Sequence, residues 1–137
     1  MPNKSAIQIF ENKVFTDNRG QVRHFFNSNL FNLDVEEIYF SSIVYPNIKG
    51  WKFHENKNQL FSVVSGKIKF YIGSLNPNNK ISISREIILT FNENNSLFLP
   101  SKTWYAFENI QTKESMLVNA VDIEHSAAIS RELPFNK

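Results

Sequence analysis

Apolar and polar residues alternate along much of the chain with the two-residue period of a β-strand. Lys67-Ile68-Lys69-Phe70-Tyr71-Ile72 places Ile68, Phe70 and Ile72 on one face. Lys80-Ile81-Ser82-Ile83-Ser84 repeats the alternation. Gln59–Ser65 is apolar and rich in β-branched residues, and Ser96-Leu97-Phe98-Leu99 is a short apolar run. Both read as strands. Turn signals separate these runs: Ser65-Gly66, then Asn76-Pro77-Asn78-Asn79, then Asn92–Asn95. Short strands at spacings of roughly 8–12 residues predict an all-β sandwich or barrel. Helix is scarce: a short turn over Asn27–Leu33, and one or two helical turns over Ser126–Glu132 behind a Ser cap. No linker, long repeat or low-complexity block interrupts the pattern, so residues 1–137 are expected to form a single domain.

Composition narrows the class. A chain of 137 residues is long enough to bury a core without staples, and it has no cysteine. That excludes cysteine nucleophiles, thiolate zinc sites and disulfide scaffolds. Fifteen Lys and Arg against thirteen Asp and Glu leave a charge of +2, too weak to imply a nucleic-acid partner. No apolar run approaches the ~18 residues that span a bilayer. Met1-Pro2-Asn3-Lys4-Ser5 has no apolar stretch behind it, so the expectation is a cytoplasmic protein with no membrane partner. Thirteen Phe against four Gly point to a bulky aromatic core or an aromatic-lined cavity. Phe15, Phe26, Phe53, Phe61, Phe70, Phe98 and Phe107 fall on the expected strands or their ends.

Two stretches carry candidate chemistry. In Gly50-Trp51-Lys52-Phe53-His54, Lys52 and His54 are two apart and share a strand face. Gln59 would approach them from the next strand, and Gly66 suits a tight hairpin. The second stretch is Pro100-Ser101-Lys102-Thr103-Trp104-Tyr105-Ala106-Phe107-Glu108-Asn109. His54 is either a satisfied polar residue or an acid/base group, since histidine titrates near neutrality. Lys52 is either a solvated lysine or an electrostatic partner for a phosphate or a developing enolate. Tyr105 is either packing or a proton donor. Trp51 and Trp104 either pack or stack on a ring. The acidic residues Asp34, Glu36 and Glu37 read as a solvated face, and Arg23 and His24 as strand residues with no role.

The spacings in both stretches resemble the two motifs of the cupin superfamily, which implies a jelly roll (a double-stranded β-helix) with few helical turns. The positions that hold metal in that superfamily match Lys52, His54, Gln59 and Tyr105. One good ligand in four does not hold zinc or iron, so no metal and no cofactor is expected. The chain resembles, more narrowly, the metal-free dTDP-4-dehydrorhamnose 3,5-epimerases and the related dTDP-sugar 3,4-ketoisomerases. The resemblance runs in order through Phe15-Thr16-Asp17-Asn18-Arg19-Gly20 with Phe26-Asn27, then Lys49-Gly50-Trp51-Lys52, Gln59–Gly66, Leu99-Pro100 through Phe107, and Asn119-Ala120-Val121-Asp122-Ile123.

The resemblance implies an isomerase that abstracts a proton next to the ketone of a nucleotide-linked 4-keto-6-deoxyhexose, in surface polysaccharide biosynthesis. It implies catalytic roles for His54, Lys52 and Tyr105, and substrate contacts from Arg19, Lys49, Trp51, Gln59 and Asn119. Arg19 would meet the diphosphate, where a guanidinium binds two oxygens at once. It also implies a homodimer that exchanges an N-terminal strand, for which Ala6–Phe10 is suited. Several family positions are changed. Lys52 stands where the general-base histidine is expected, Val118 near the catalytic tyrosine, Gln59 at a family lysine, and Lys102 at a motif glycine. These changes keep two further readings open: a nucleotide-sugar-binding cupin without its base, and a structural oligomeric cupin.

Overall fold

A computed structural model describes residues 6–29 and 31–135; Met1–Ser5 lie outside the described residues. Its strands are β1 (Gln8–Glu11), β2 (Val14–Asp17), β3 (Gly20–Arg23), β4 (Glu37–Ile43), β5 (Ile48–His54), β6 (Gln59–Ser65), β7 (Lys67–Leu75), β8 (Ile81–Thr90), β9 (Asn95–Leu99), β10 (Trp104–Asn109), β11 (Ser115–Val121) and β12 (Ser130–Glu132). They form two five-stranded sheets, ordered β1-β9-β6-β11-β4 and β12-β5-β10-β7-β8, with β2 and β3 apart as a hairpin. All pairings are antiparallel. This is a cupin jelly roll. No helix among the described residues is long and apolar enough to cross a membrane.

The alternation read from the sequence builds the interior. Ile68, Phe70 and Ile72 of β7 meet Phe61 and Val63 of β6, Leu97 and Leu99 of β9, and Phe107 of β10 between the sheets. Each of these side chains is nearly or wholly removed from water. Burying one is worth roughly 1.5–3 kcal/mol. Outside this layer, Phe31, Leu33, Leu60, Phe98 and Ala120 form a second cluster with Phe10, Phe25 and Phe26 at its edge. A third cluster joins Trp51, Tyr71, Trp104 and Ala106, with Phe53 and Phe135 against it.

The expected aromatic core is thus spread over three places. Phe61, Phe70 and Phe107 are interior; Phe26 and Phe98 join the second cluster; Phe53 packs on the third. Phe15 is no core residue, being 57% exposed on the β2–β3 hairpin.

Two glycines are dictated by position. Gly66 closes the β6–β7 hairpin at φ +86°, where a Cβ would lie 2.2 Å from Ser115 Oγ. Gly50 has φ +133°, and a Cβ there would lie 2.6 Å from Ala106 Cβ. Next to it, β5 carries an extra residue relative to β10: Tyr105 pairs with Lys52 and Ala106 with Gly50, leaving Trp51 over.

The helical turns expected over Ser126–Glu132 are a correction. A 3-10 helix spans only His125–Ala127, and no side chain caps it. Ser130–Glu132 is strand β12, added to the edge of β5 with Ser130 opposite His54 and Glu132 opposite Lys52. A free edge offers backbone hydrogen bonds that a segment too short for a stable helix cannot match. Near the other expected turn, Phe31 N–H donates to Asn27 C=O at 3.0 Å.

Candidate active site

Inward-facing positions change character along the barrel. On β6 they run Gln59, Phe61, Val63; on β11, Asn119 then Leu117; on β4, Tyr39, Ser41, Ile43; on β10, Tyr105 then Phe107. One end of the interior is therefore apolar, and the other gathers polar groups from both sheets. Strand β5 adds His54 and Lys52 at the polar end. Its extra residue shifts the parity, so Lys49 rather than Gly50 lies opposite the inward-facing Phe107. Lys49 and Lys52 both line a cavity with Gly50, Glu132, Leu133 and Pro134.

The polar end is a connected network. His54 Nδ1 lies 2.6 Å from Ser130 Oγ, and its Nε2 lies 2.9 Å from the Tyr105 hydroxyl. Tyr105 also reaches Gln59 Oε1, at a long 3.5 Å. Asn119 Nδ2 donates to Gln59 Oε1 at 2.9 Å and to the Tyr39 hydroxyl oxygen at 3.1 Å. Lys57, in the loop before β6, donates to the same Tyr39 oxygen at 2.9 Å. His54, Lys57, Gln59, Tyr105 and Asn119 are all buried, none above 6% exposed. The segment after β11 walls the network in. Ser130 meets His54 there, and the His125 ring stands edge-on to Tyr39, with ring centres 6.0 Å apart.

Cations outnumber anions in this network, and the titrations follow. Burial first, then the charges of Lys57, Lys52 and His125, push His54 down to about 4, so its ring is neutral at pH 7. Burial holds Lys52 below its ordinary value against the pull of Glu132, and Lys49 lowers it further. Burial raises the Tyr105 phenol, which stays protonated and serves as a hydrogen-bonding group. Among the described residues, no cluster of three or more His, Asp or Glu is arranged to hold a metal.

Neither a family model nor a curated protein matches the sequence. Solved structures do. A dTDP-sugar isomerase from Desulfovibrio desulfuricans G20 superposes with a TM-score of 0.81 at 26% identity, over 93% of this chain and 83% of that one. The chain has the cupin fold of the dTDP-sugar isomerases. A dTDP-4-dehydrorhamnose 3,5-epimerase from Bacillus anthracis, solved with TDP and pyrophosphate, gives 0.76 at 20% identity, over 93% and 78% of the two chains. A 3,4-ketoisomerase from Thermoanaerobacterium thermosaccharolyticum, in complex with TDP-4-keto-6-deoxyglucose, gives 0.70 at 14% identity, over 90% and 86%. The structural neighbours are thus epimerases and ketoisomerases of dTDP-sugars.

Within this cupin fold, the residues singled out from the sequence divide into two groups. His54, Tyr105, Gln59 and Asn119 are linked through hydrogen bonds, and Lys52 lies beside Tyr105 in register. Lys49 lies on the cavity at the rim, its Nζ donating to Ser42 C=O at 2.9 Å. Trp51 does not reach the network. As the extra residue of β5 it turns outward, is fully buried in the third cluster, and packs against Phe135. Arg19 is not brought there either: its exposed side chain pairs with Asp17 at 2.6 Å on the hairpin. Three network members went unnoticed in the sequence: Tyr39, Lys57 and Ser130. Alternation of Tyr39, Ser41 and Ile43 was the available signal for the first. Lys57 is in a loop and Ser130 falls within the stretch expected to be helical, so neither carries one.

Proposed function

We propose that the protein is an isomerase of a nucleotide-linked 4-keto-6-deoxyhexose, an epimerase or ketoisomerase supplying surface polysaccharide synthesis in the cytoplasm. One observation carries this reading. The buried network of His54, Tyr105, Gln59 and Asn119 occupies the polar end of a jelly roll shared with dTDP-sugar isomerases. One of those neighbours holds TDP-4-keto-6-deoxyglucose, which supplies the substrate class.

In this reading the whole chain acts as one domain, without metal or cofactor. The neutral His54 imidazole takes the proton from the carbon beside the ketone, and Tyr105 holds the ring in place. The Lys52 ammonium faces the charge that develops on the enolate oxygen. Gln59 and Asn119 bond sugar hydroxyls. Lys49 and Lys52 open on one cavity, where a diphosphate would meet both. Substrate reaches His54 when β12, only three residues long, leaves the edge of β5. Arg19 has a diphosphate role only in an assembly that carries the hairpin to a mouth, and a homodimer of two 16.0 kDa chains is part of the proposal. Strand β1 pairs with β9 of its own chain here, so exchange would replace that pairing by an equivalent one. A monomer by light scattering contradicts the dimer.

The test is incubation with dTDP-4-keto-6-deoxyglucose in deuterated water, followed by NMR of the sugar. Loss of the C–H signal beside the ketone is expected. No loss, with an active epimerase as positive control, overturns the isomerase reading. A second reading, nucleotide-sugar binding without turnover, is favoured by the low proton affinity of His54. It predicts a raised melting temperature with dTDP and no exchange.

A further inference from the structure

Lys57 is 1% exposed, and its Nζ has one described partner, the Tyr39 hydroxyl at 2.9 Å. No carboxylate among the described residues is ion-paired with it. Buried lysines ordinarily have such a partner. Tyr39 is unusual in a matching way. Its oxygen accepts two N–H bonds, from Lys57 and from Asn119, and no described group accepts its own hydrogen. A phenol so held has its proton free to donate, and the phenolate left behind is stabilised by the same two donors. Beside it, Asn119 Oδ1 is buried with no partner. A spare donor next to a spare acceptor fits a ligand that carries a carbonyl oxygen and a hydroxyl on neighbouring carbons.

We propose that Lys57 is a positioning residue that supplies the site's oxygen-bound proton through Tyr39. This rests on the isomerase reading above. As the carbon proton leaves to His54, its electron pair forms the C=C bond of an enol, and the former carbonyl oxygen takes the Tyr39 proton. The Lys57 ammonium refills the phenolate across the hydrogen bond and ends as a neutral amine. When the neighbouring hydroxyl becomes the new carbonyl, its proton returns to Tyr39, the phenol proton returns to Lys57, and His54 gives its proton back to carbon. All groups are then restored.

The surroundings favour such an exchange. Tyr39 and Glu37 of β4, Lys52 and His54 of β5, Tyr105 of β10, Asp122 after β11 and His125 of the 3-10 helix are the charged and titratable groups that face Lys57 or its partner. Burial, reinforced by the Lys52 charge, lowers the Lys57 ammonium against the pull of Glu37 and Asp122. Burial raises the Tyr39 phenol. The hydrogen bond therefore joins a weakened cation to a proton-retaining phenol.

The experiment uses Lys57→Met, Lys57→Gln and Lys57→Arg in the full chain, with two readouts. The first is steady-state turnover of dTDP-4-keto-6-deoxyglucose. Lys57→Met and Lys57→Gln are expected to lower kcat about 100-fold with KM within about threefold, and Lys57→Arg to retain part of the rate. The second readout needs no turnover: Tyr39 is titrated by NMR of its ring carbon, assigned with Tyr39→Phe. Loss of the Lys57 charge is expected to raise that titration by about one unit or more. A kcat within about threefold of wild type in a folded Lys57→Met or Lys57→Gln protein overturns the proposal while leaving the isomerase reading intact. An unmoved Tyr39 titration overturns it as well. A wild type that exchanges no deuterium overturns the isomerase reading and, with it, the proton supply to a ketone.

Discussion

The Nε2 of His54 and the hydroxyl of Tyr105 lie 2.9 Å apart, joining neighbouring strands of one sheet inside the barrel. The ring's other nitrogen is occupied by Ser130. Removing the hydroxyl by Tyr105→Phe leaves a buried ring nitrogen without its partner. The expected cost is about 1–3 kcal/mol of stability. Urea unfolding is the measurement, with the midpoint falling and the slope unchanged.

The same ring makes stability depend on pH. Its folded value of about 4 lies below the ordinary 6.5, so between these values the unfolded chain binds a proton that the folded chain refuses. Stability from this group is complete above pH 6.5 and is lost progressively as pH falls toward 4. After allowance for solvent screening the loss is about 2 kcal/mol. His54→Gln is expected to flatten this limb of the unfolding free energy against pH. An unchanged limb contradicts the assignment.

Lys102 has φ +66°, a left-handed conformation that a side chain disfavours. It stands where the resembling motif carries glycine, and its N–H donates to His54 C=O at 2.7 Å. Lys102→Gly relieves the strain without touching that bond. A gain of about 0.5–1 kcal/mol is expected, readable as a higher melting temperature.

Asn109 closes the apolar end of the barrel. Its Nδ2 donates to Ile43 C=O at 2.8 Å and Lys113 C=O at 2.5 Å, while Oδ1 accepts from Ser115 Oγ and Gln111 N–H. Asn109→Ala is expected to cost about 3 kcal/mol, since buried carbonyls lose their donor. Asn109→Asp should be at least as damaging, because it sets an oxygen against both carbonyls. Thermal unfolding of the two variants separates lost bonds from lost volume.

Strand alternation and turn residues by themselves determined an all-β sandwich or barrel and set Lys52 and His54 on one strand face. The jelly roll and the roles of Tyr105 and Asn119 followed only from the family resemblance. Gln59, His54, Tyr105 and Asn119 lie on strands whose period of two settles which side chains share a face. Gly66 was likewise legible as the glycine of a tight hairpin and Gly50 as a position of the resembling motif, but the positive φ that demands glycine at both is seen only in the fold. Tertiary structure alone decided the rest. The extra residue in β5 sends Trp51 outward and brings Lys49 to the rim, and a bulge has no signature in alternation. Ser130 reaches His54 because the edge of β5 was free, a vacancy that Ser126–Glu132 cannot register locally. Lys57 sits in a loop, where no period operates, and only the closure of both sheets buries its amine on Tyr39. Periodicity encodes which way a residue points along its own strand. Which residue it then meets depends on strands far away in the chain.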